Sequence, residues 1–150
     1  MKNLSRRMFL STLVAVAAPA GTIAQPQQKI DVFKSPTCGC CENWITHVRA
    51  SGLTPTTTNL DDMTPVKTKY HVPPALQSCH TAIIGGYVIE GHVPAADIKR
   101  LLEVRPAIAG LAVPGMVSGS PGMEGPNPRP YDVVAFDKQG KTRVFATHGR

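Results

Sequence analysis

Three of the four cysteines in this chain lie within four positions, at Cys38, Cys40 and Cys41. Cys38 and Cys41 form a C-x-x-C pair, a spacing that suits reversible disulfide chemistry. The third sulfur, on Cys40, is unusual for a dithiol enzyme and favours soft metal ions such as Cu(I). Adjacent helical residues point about 100° apart, so Cys40 and Cys41 do not easily bind one ion together. They can instead bind neighbouring ions that share bridging sulfurs.

Four further side chains could supply soft ligands. Cys79 and His80 directly precede an apolar segment, and Met116 and Met123 lie in a Gly- and Pro-rich stretch without helical periodicity. Thiolate, imidazole and thioether together suit Cu(I). We therefore include all four with the cysteine cluster as candidate copper ligands. For each methionine, ordinary packing in a loop is the competing interpretation.

The other histidines are interpreted differently. His92 lies in Gly-His-Val-Pro, just before a predicted helix, and is interpreted as a capping or structural residue rather than a ligand. His47, within the first predicted helix, and His71, at the end of the second, are interpreted as structural.

The cysteine cluster lies between a predicted strand and a predicted helix. Backbone N–H groups and the helix dipole at such an N-terminus stabilise a thiolate and lower the pKa of a cysteine. Hydrophobic periodicity and turn residues predict the surrounding elements. The predicted strands are 29–33, 54–60, 81–84 and 87–90, and the predicted helices are 38–51, 66–70 and 95–104.

Residues 107–130 are so rich in glycine and proline that no regular element is expected there. Residues 131–136 and 142–146 predict a second hairpin. This order of elements predicts an α/β fold, a thioredoxin-like mixed sheet with flanking helices and an added C-terminal β-hairpin. In such a fold, Cys79 and His80 would lie against the C-x-x-C loop.

Residues 1–24 are predicted to be an export signal. A basic start is followed by an apolar run too short to span a membrane, and then by small residues that suit cleavage after Ala20 or Ala24. Arg6 and Arg7 resemble a twin-arginine export motif, with a general secretory signal as the alternative. The chain is therefore expected to work in a periplasm, without a membrane span in the mature protein.

Composition limits the remaining choices. The chain has 150 residues, of which 42% are hydrophobic and 17% charged, which excludes a disordered chain and predicts one domain over 25–150. The chain has 16 Lys and Arg and ten Asp and Glu, and the basic residues form no continuous run. Aromatic residues, which could stack on bases, make up only 5%, so nucleic-acid binding has little support. No hydrophobic stripe indicates oligomerisation, and a monomer is the default expectation.

Several segments of the chain resemble the CopG-type periplasmic copper-resistance proteins. The matching segments are KSPTCGCC (34–41), VPP (72–74), SCHTA (78–82), VIEGHVPA (88–95) and GSPGME (119–124). The resemblance implies a thioredoxin-like fold whose cysteines, here Cys38, Cys40, Cys41 and Cys79, hold a cluster of more than one copper ion. It also implies a role in copper detoxification, with interconversion of Cu(I) and Cu(II) as the suggested redox activity.

Three functions stay open at this point. The leading hypothesis is a copper-binding protein with cysteine redox chemistry. The second is a thiol–disulfide oxidoreductase with Cys38 as nucleophile and Cys41 as resolving thiol. Its weak point is His80, which stands where such enzymes usually carry a cis-proline. The third is a passive carrier that transfers copper to an exporter or chaperone. Beyond these three functions, an iron–sulfur site is the least favoured alternative.

Overall fold

The structure, a computed structural model, describes residues 28–149, so the predicted export signal and its cleavage site lie outside the described residues. Strands and helices alternate along the first part of the chain. The strands are β1 (Lys29–Lys34), β2 (Thr54–Asn59), β3 (His80–Ile84), β4 (Tyr87–Glu90), β5 (Gly110–Ala112), β6 (Tyr131–Phe136) and β7 (Thr142–His148). The helices are α1 (Gly39–Ala50), α2 (Thr64–Lys69) and α3 (Ala95–Val104), with a 3₁₀ turn at Pro74–Leu76.

Within the described residues, the strands form one mixed sheet in the order β2-β1-β3-β4-β5-β6-β7. Strand β1 pairs in parallel with β2 and antiparallel with β3, and β4 pairs antiparallel with β3 and in parallel with β5. Strands β6 and β7 form the C-terminal hairpin. The predicted α/β class, with a mixed sheet and an added C-terminal hairpin, is confirmed.

The expectation of no regular element in 107–130 was wrong, because Gly110–Ala112 forms strand β5 between β4 and β6. Gly110 pairs with Val88, whose carbonyl oxygen occupies the space that a side-chain Cβ would need. Leu111 and Ala112 are fully buried, so this short strand shows no alternation of polar and apolar residues. Strand β5 joins the C-terminal hairpin to the rest of the sheet.

Other predicted boundaries match the observed ones or differ by one or two residues. Helix α2 begins earlier than predicted, at Thr64, whose backbone N–H donates a 2.8 Å hydrogen bond to Asp62 Oδ1. The second strand of the hairpin continues two residues further, to His148. Differences of this size at the ends of helices and strands are ordinary, because the terminal residues depend on only a few local hydrogen bonds.

Helix α1 packs its apolar face against the sheet through Trp44, Ile45 and Val48, all of which are buried. The indole N–H of Trp44 donates a 2.9 Å hydrogen bond to the carbonyl oxygen of Val93, just before α3. This contact satisfies the buried indole. It holds the cysteine-bearing helix against the segment that follows β4. No helix among the described residues is long and apolar enough to cross a membrane.

His47, on α1, accepts a 3.1 Å hydrogen bond at Nε2 from the backbone N–H of Ala95 at the start of α3. Burial lowers the pKa of His47 below 6.5, with Glu124 opposing the shift. A depressed pKa means that the neutral ring stabilises the fold above about pH 6.5, and that this stability is lost as the pH falls.

We therefore expect His47→Gln to remove part of the acid destabilisation. The variant should lose less stability than the wild type between about pH 7.5 and about pH 5.5. Urea unfolding at the two pH values measures this difference. Parallel losses in both proteins would contradict the assignment of this acid sensitivity to His47.

Candidate metal centre

The cysteine cluster begins at the N-terminus of α1, directly after the loop that follows β1. Cys38 is the N-cap residue, and a disulfide joins it to Cys41 one turn inside the helix. Cys41 is fully buried, whereas Cys38 and Cys40 are partly exposed. Cys40 carries a free thiol, so the structure shows the C-x-x-C pair oxidised beside a third, reduced sulfur.

Cys79 completes a group of four sulfurs. Strand β3 pairs with β1 so that His80 lies opposite Lys34, which places the residue before β3 beside the start of α1. Cys40 Sγ lies 3.6 Å from Cys38 Sγ and 3.8 Å from Cys79 Sγ. All four sulfur atoms lie within 4.8 Å of one another. The register between two strands thus brings together thiols almost 40 residues apart.

Two imidazoles face Cys79 from the β3–β4 hairpin. His92 Nε2 lies 3.1 Å from Cys79 Sγ, and His80 Nδ1 lies 3.4 Å from the same sulfur. Both histidines are fully buried, and the two rings meet edge to face with centroids 5.1 Å apart. Cys79, His80 and His92 can therefore direct ligand atoms at one point, within 4.8 Å of one another.

The protonation of this group is set by burial. Burial lowers the pKa of both His80 and His92, so the rings are neutral and keep a lone pair for a hydrogen bond or a metal. Burial, with Cys40 nearby, raises the pKa of Cys79 to about 12. Without a cation the Cys79 sulfur is a thiol, and a bound soft cation would displace its proton.

His92 is the residue whose position departs most from its sequence interpretation. A structural role was expected, and the structure places its ring nitrogen at hydrogen-bond distance from a candidate ligand sulfur. The available signal was the hairpin itself. Glu90 pairs with Thr81, so the residues just after β4 must return beside those just before β3.

The turns that carry the two methionines adjoin the cysteine site. Ser78 Oγ donates a 2.6 Å hydrogen bond to the carbonyl oxygen of Gly115, which anchors the turn before Met116 next to Cys79. The Met116 side chain is 59% exposed.

The second methionine turn lies against the cysteine helix. Gly122 packs so closely on α1 that a Cβ there would stand 2.8 Å from Cys40 O and 2.7 Å from Trp44 N. Its φ of +84° also favours glycine. Met123, the next residue, is partly buried. The structure thus brings the four cysteines and His80 together. The backbones of the two turns that carry Met116 and Met123 lie next to this group.

A buried ion pair between Lys67 and Glu90 holds the backbone around Cys79 in place. Lys67 donates to Glu90 Oε1, and the same oxygen accepts a 2.7 Å hydrogen bond from the backbone N–H of Ser78. Thr81 Oγ1 donates to Glu90 Oε2 at 2.7 Å. Burial raises the pKa of Glu90, while Lys67 opposes the rise. This network fixes the residues on both sides of Cys79, and no sequence pattern predicted it.

Comparison with known proteins places this site in a family. The family model described as "Protein of unknown function, DUF411" matches residues 76–123. No curated protein sequence matches the chain. Two solved structures titled "Copper resistance protein copG", in Form 2 and Form 1, are each 44% identical to it, with TM-scores of 0.79 and 0.78. They cover 83% and 84% of this chain and are themselves covered over 100% of their length. Identity at this level across the whole of both solved chains shows that the protein belongs to the CopG family of copper resistance proteins.

Proposed function

We propose that this protein binds copper for copper resistance and that Cys38, Cys40, Cys41 and Cys79 hold more than one Cu(I) ion when all four are reduced. The observation that carries the proposal is the approach of the four sulfur atoms to within 4.8 Å of one another. Sulfurs this close can bridge neighbouring ions, and thiolates are the ligands that Cu(I) prefers. The similarity to solved copper resistance proteins supports copper as the metal.

The disulfide supplies the redox part of the proposal. Reduced Cys38 and Cys41 lose two electrons and two protons when they form a disulfide, and two Cu(II) ions that accept those electrons become two Cu(I) ions. The site would thereby convert Cu(II) to Cu(I) and keep the product on nearby sulfur. A low-molecular-weight thiol or a protein dithiol would then reduce the disulfide for another cycle.

Location and partners belong to the same proposal. Residues 1–24 have the pattern of an export signal, so the protein would act in a periplasm. A copper exporter or copper chaperone is the class of partner that would receive the ions. The partly exposed Cys38 and Cys40 and the exposed Met116 lie where such a partner could reach copper. Met116 and Met123 would serve as thioether ligands at the border of the cluster.

One observation favours a thiol–disulfide oxidoreductase as the second candidate. Cys38 stands at the N-cap of α1 and is partly exposed, while its disulfide partner Cys41 is buried, as expected for a nucleophile and a resolving thiol. The position of Cys40 argues against it. With Cys40 Sγ 3.6 Å from Cys38 Sγ, a mixed disulfide at Cys38 has a competing thiol beside it.

Anaerobic titration of the reduced protein with Cu(I) against a competing chelator tests the proposal. We expect more than one tightly bound ion per chain, and none after all four thiols are alkylated. A single ion would indicate a simple carrier. Absence of binding, with ready closure of the Cys38–Cys41 disulfide and catalysed reduction of a protein disulfide in the presence of a chelator, would indicate the oxidoreductase.

A further inference from the structure

We propose that the chain holds a single copper ion on Cys79, His80 and His92 when the Cys38–Cys41 disulfide is closed, with Cys79 shared between this mononuclear site and the four-cysteine cluster. The inference rests on the proposed function, because it takes copper as the metal that reaches the protein. It goes beyond the four-cysteine cluster, since two of its three ligands are imidazoles. Neither disulfide sulfur is needed for it.

The distances fit a shared ion. Metal–nitrogen bonds of about 2.0–2.1 Å and a metal–sulfur bond of about 2.3 Å hold a nitrogen and a sulfur donor about 3.5–3.7 Å apart in tetrahedral or trigonal geometry. Cys79 Sγ lies 3.1 Å from His92 Nε2 and 3.4 Å from His80 Nδ1. A metal ion could therefore replace the thiol proton with small shifts of side chains that already surround one point.

His92 is oriented as a metal ligand usually is. Its Nδ1 lies 2.8 Å from the carbonyl oxygen of Pro121, an acceptor that must receive the ring N–H. The proton is therefore on Nδ1, and Nε2 presents its lone pair to Cys79. Metal-binding histidines commonly donate their other N–H to a carbonyl in this way, which fixes the tautomer and the ring orientation.

His80 supplies a second, independent observation. The ring is fully buried against Trp44, with centroids 4.3 Å apart. Its Nε2 has no hydrogen-bond partner in the part of the chain that the structure describes. The nitrogen directed at Cys79 Sγ is Nδ1, so the ring would bind a metal ion through Nδ1 and keep its proton on Nε2. Here the ring lies beside the Cys79 thiol and a second neutral imidazole.

The donor set selects the metal chemistry. Two histidines and one cysteine in a trigonal arrangement are the ligands of copper sites that carry one electron. The four-thiolate cluster favours Cu(I), whereas this set also accepts Cu(II). Closing the disulfide removes two of four thiolates from the cluster but none of the ligands of the histidine site. One copper ion would therefore stay bound while the dithiol is oxidised.

The first test is a Cu(I) titration of the disulfide form, with the disulfide verified by mass and all reductant removed. We expect one ion per chain in this form and more than one in the reduced form. Binding to the reduced form alone would overturn the inference and leave the proposed function intact. Binding to neither form would overturn both.

Variants identify the ligands in the disulfide form. His92→Gln should weaken Cu(I) binding at least about tenfold, since even an outer partner of a metal ligand contributes about 10–100-fold to affinity. Cys40→Ser should leave the single ion bound, because Cys40 is not one of the three ligands. His71→Asn is the matched control, since His71 is exposed. Loss of the ion in Cys40→Ser with no change in His92→Gln would show a pair of thiolates instead.

Cu(II) provides a spectroscopic test in Cys40→Ser. The disulfide form of this variant keeps Cys79 as its single free thiol, so Cu(II) cannot be reduced by closing a second disulfide within the chain. We expect a visible sulfur-to-copper charge-transfer band when Cu(II) is added and its loss when His92→Gln is combined with Cys40→Ser. Circular dichroism confirms that both variants are folded. Absence of the band in the folded Cys40→Ser variant would overturn the histidine–cysteine site.

Discussion

Replacing Cys79 with serine is expected to lower the copper content of the reduced protein by at least one ion per chain. Cys79 Sγ is the sulfur that joins the C-x-C-C group, 3.8 Å from Cys40 Sγ, to the two histidines. A serine hydroxyl is a poor ligand for Cu(I), which prefers soft sulfur donors. Cu(I) titration with a competing chelator measures the ion count, and circular dichroism confirms that the variant is folded.

The same variant separates the two proposed copper states. In the disulfide form, Cys79→Ser should remove copper binding altogether, whereas in the reduced form the three remaining thiolates should still hold copper. Ser51→Ala is the control, because Ser51 lies at the far end of α1 and bonds to His47 O. An unchanged copper count in the reduced Cys79→Ser protein would exclude the four-cysteine site.

Replacing Lys67 with methionine is expected to destabilise the fold by about 3–5 kcal/mol, because it leaves the carboxylate of Glu90 buried without its cation. Glu90 is fully buried and Lys67 is 7% exposed, so water does not solvate the carboxylate after the lysine is removed. The affected carboxylate also holds the Ser78 N–H and the Thr81 hydroxyl. Urea unfolding of the copper-free protein at neutral pH measures the loss.

Two further variants check the cause of that loss. Lys69→Met lies on the same helix at an exposed position, and its effect should stay within about 0.5 kcal/mol. Adding Glu90→Gln to Lys67→Met should recover part of the stability, because it removes the uncompensated charge. A double variant less stable than Lys67→Met would contradict the buried-charge explanation.

Under these proposals, Cys79 belongs to both copper arrangements. It is the fourth thiolate of the reduced cluster and the sole sulfur of the histidine site. An ion on Cys79 could thus be kept while Cys38 and Cys41 exchange electrons with copper or with another thiol. The Lys67–Glu90 network would serve both arrangements, since it holds the backbone on both sides of this sulfur.

The sequence by itself determined the features that depend on neighbouring residues. Periodicity and turn residues predicted α3 at its observed bounds, and Gly85-Gly86 predicted the β3–β4 hairpin. The unusual C-x-C-C spacing at a strand–helix junction was enough to indicate soft-metal chemistry. These features are local, because each depends on residues that are close together in the sequence.

The tertiary structure decided what depends on pairing between distant segments. Strand β5 is three apolar residues among glycines and prolines, and only its place between β4 and β6 makes it a strand. His92 lies 13 positions after Cys79 and meets it through the pairing of β3 with β4, and the Lys67–Glu90 pair joins residues 23 positions apart. Such contacts arise because strand register and burial choose which side chains meet, and the free energy of packing is summed over the whole sheet.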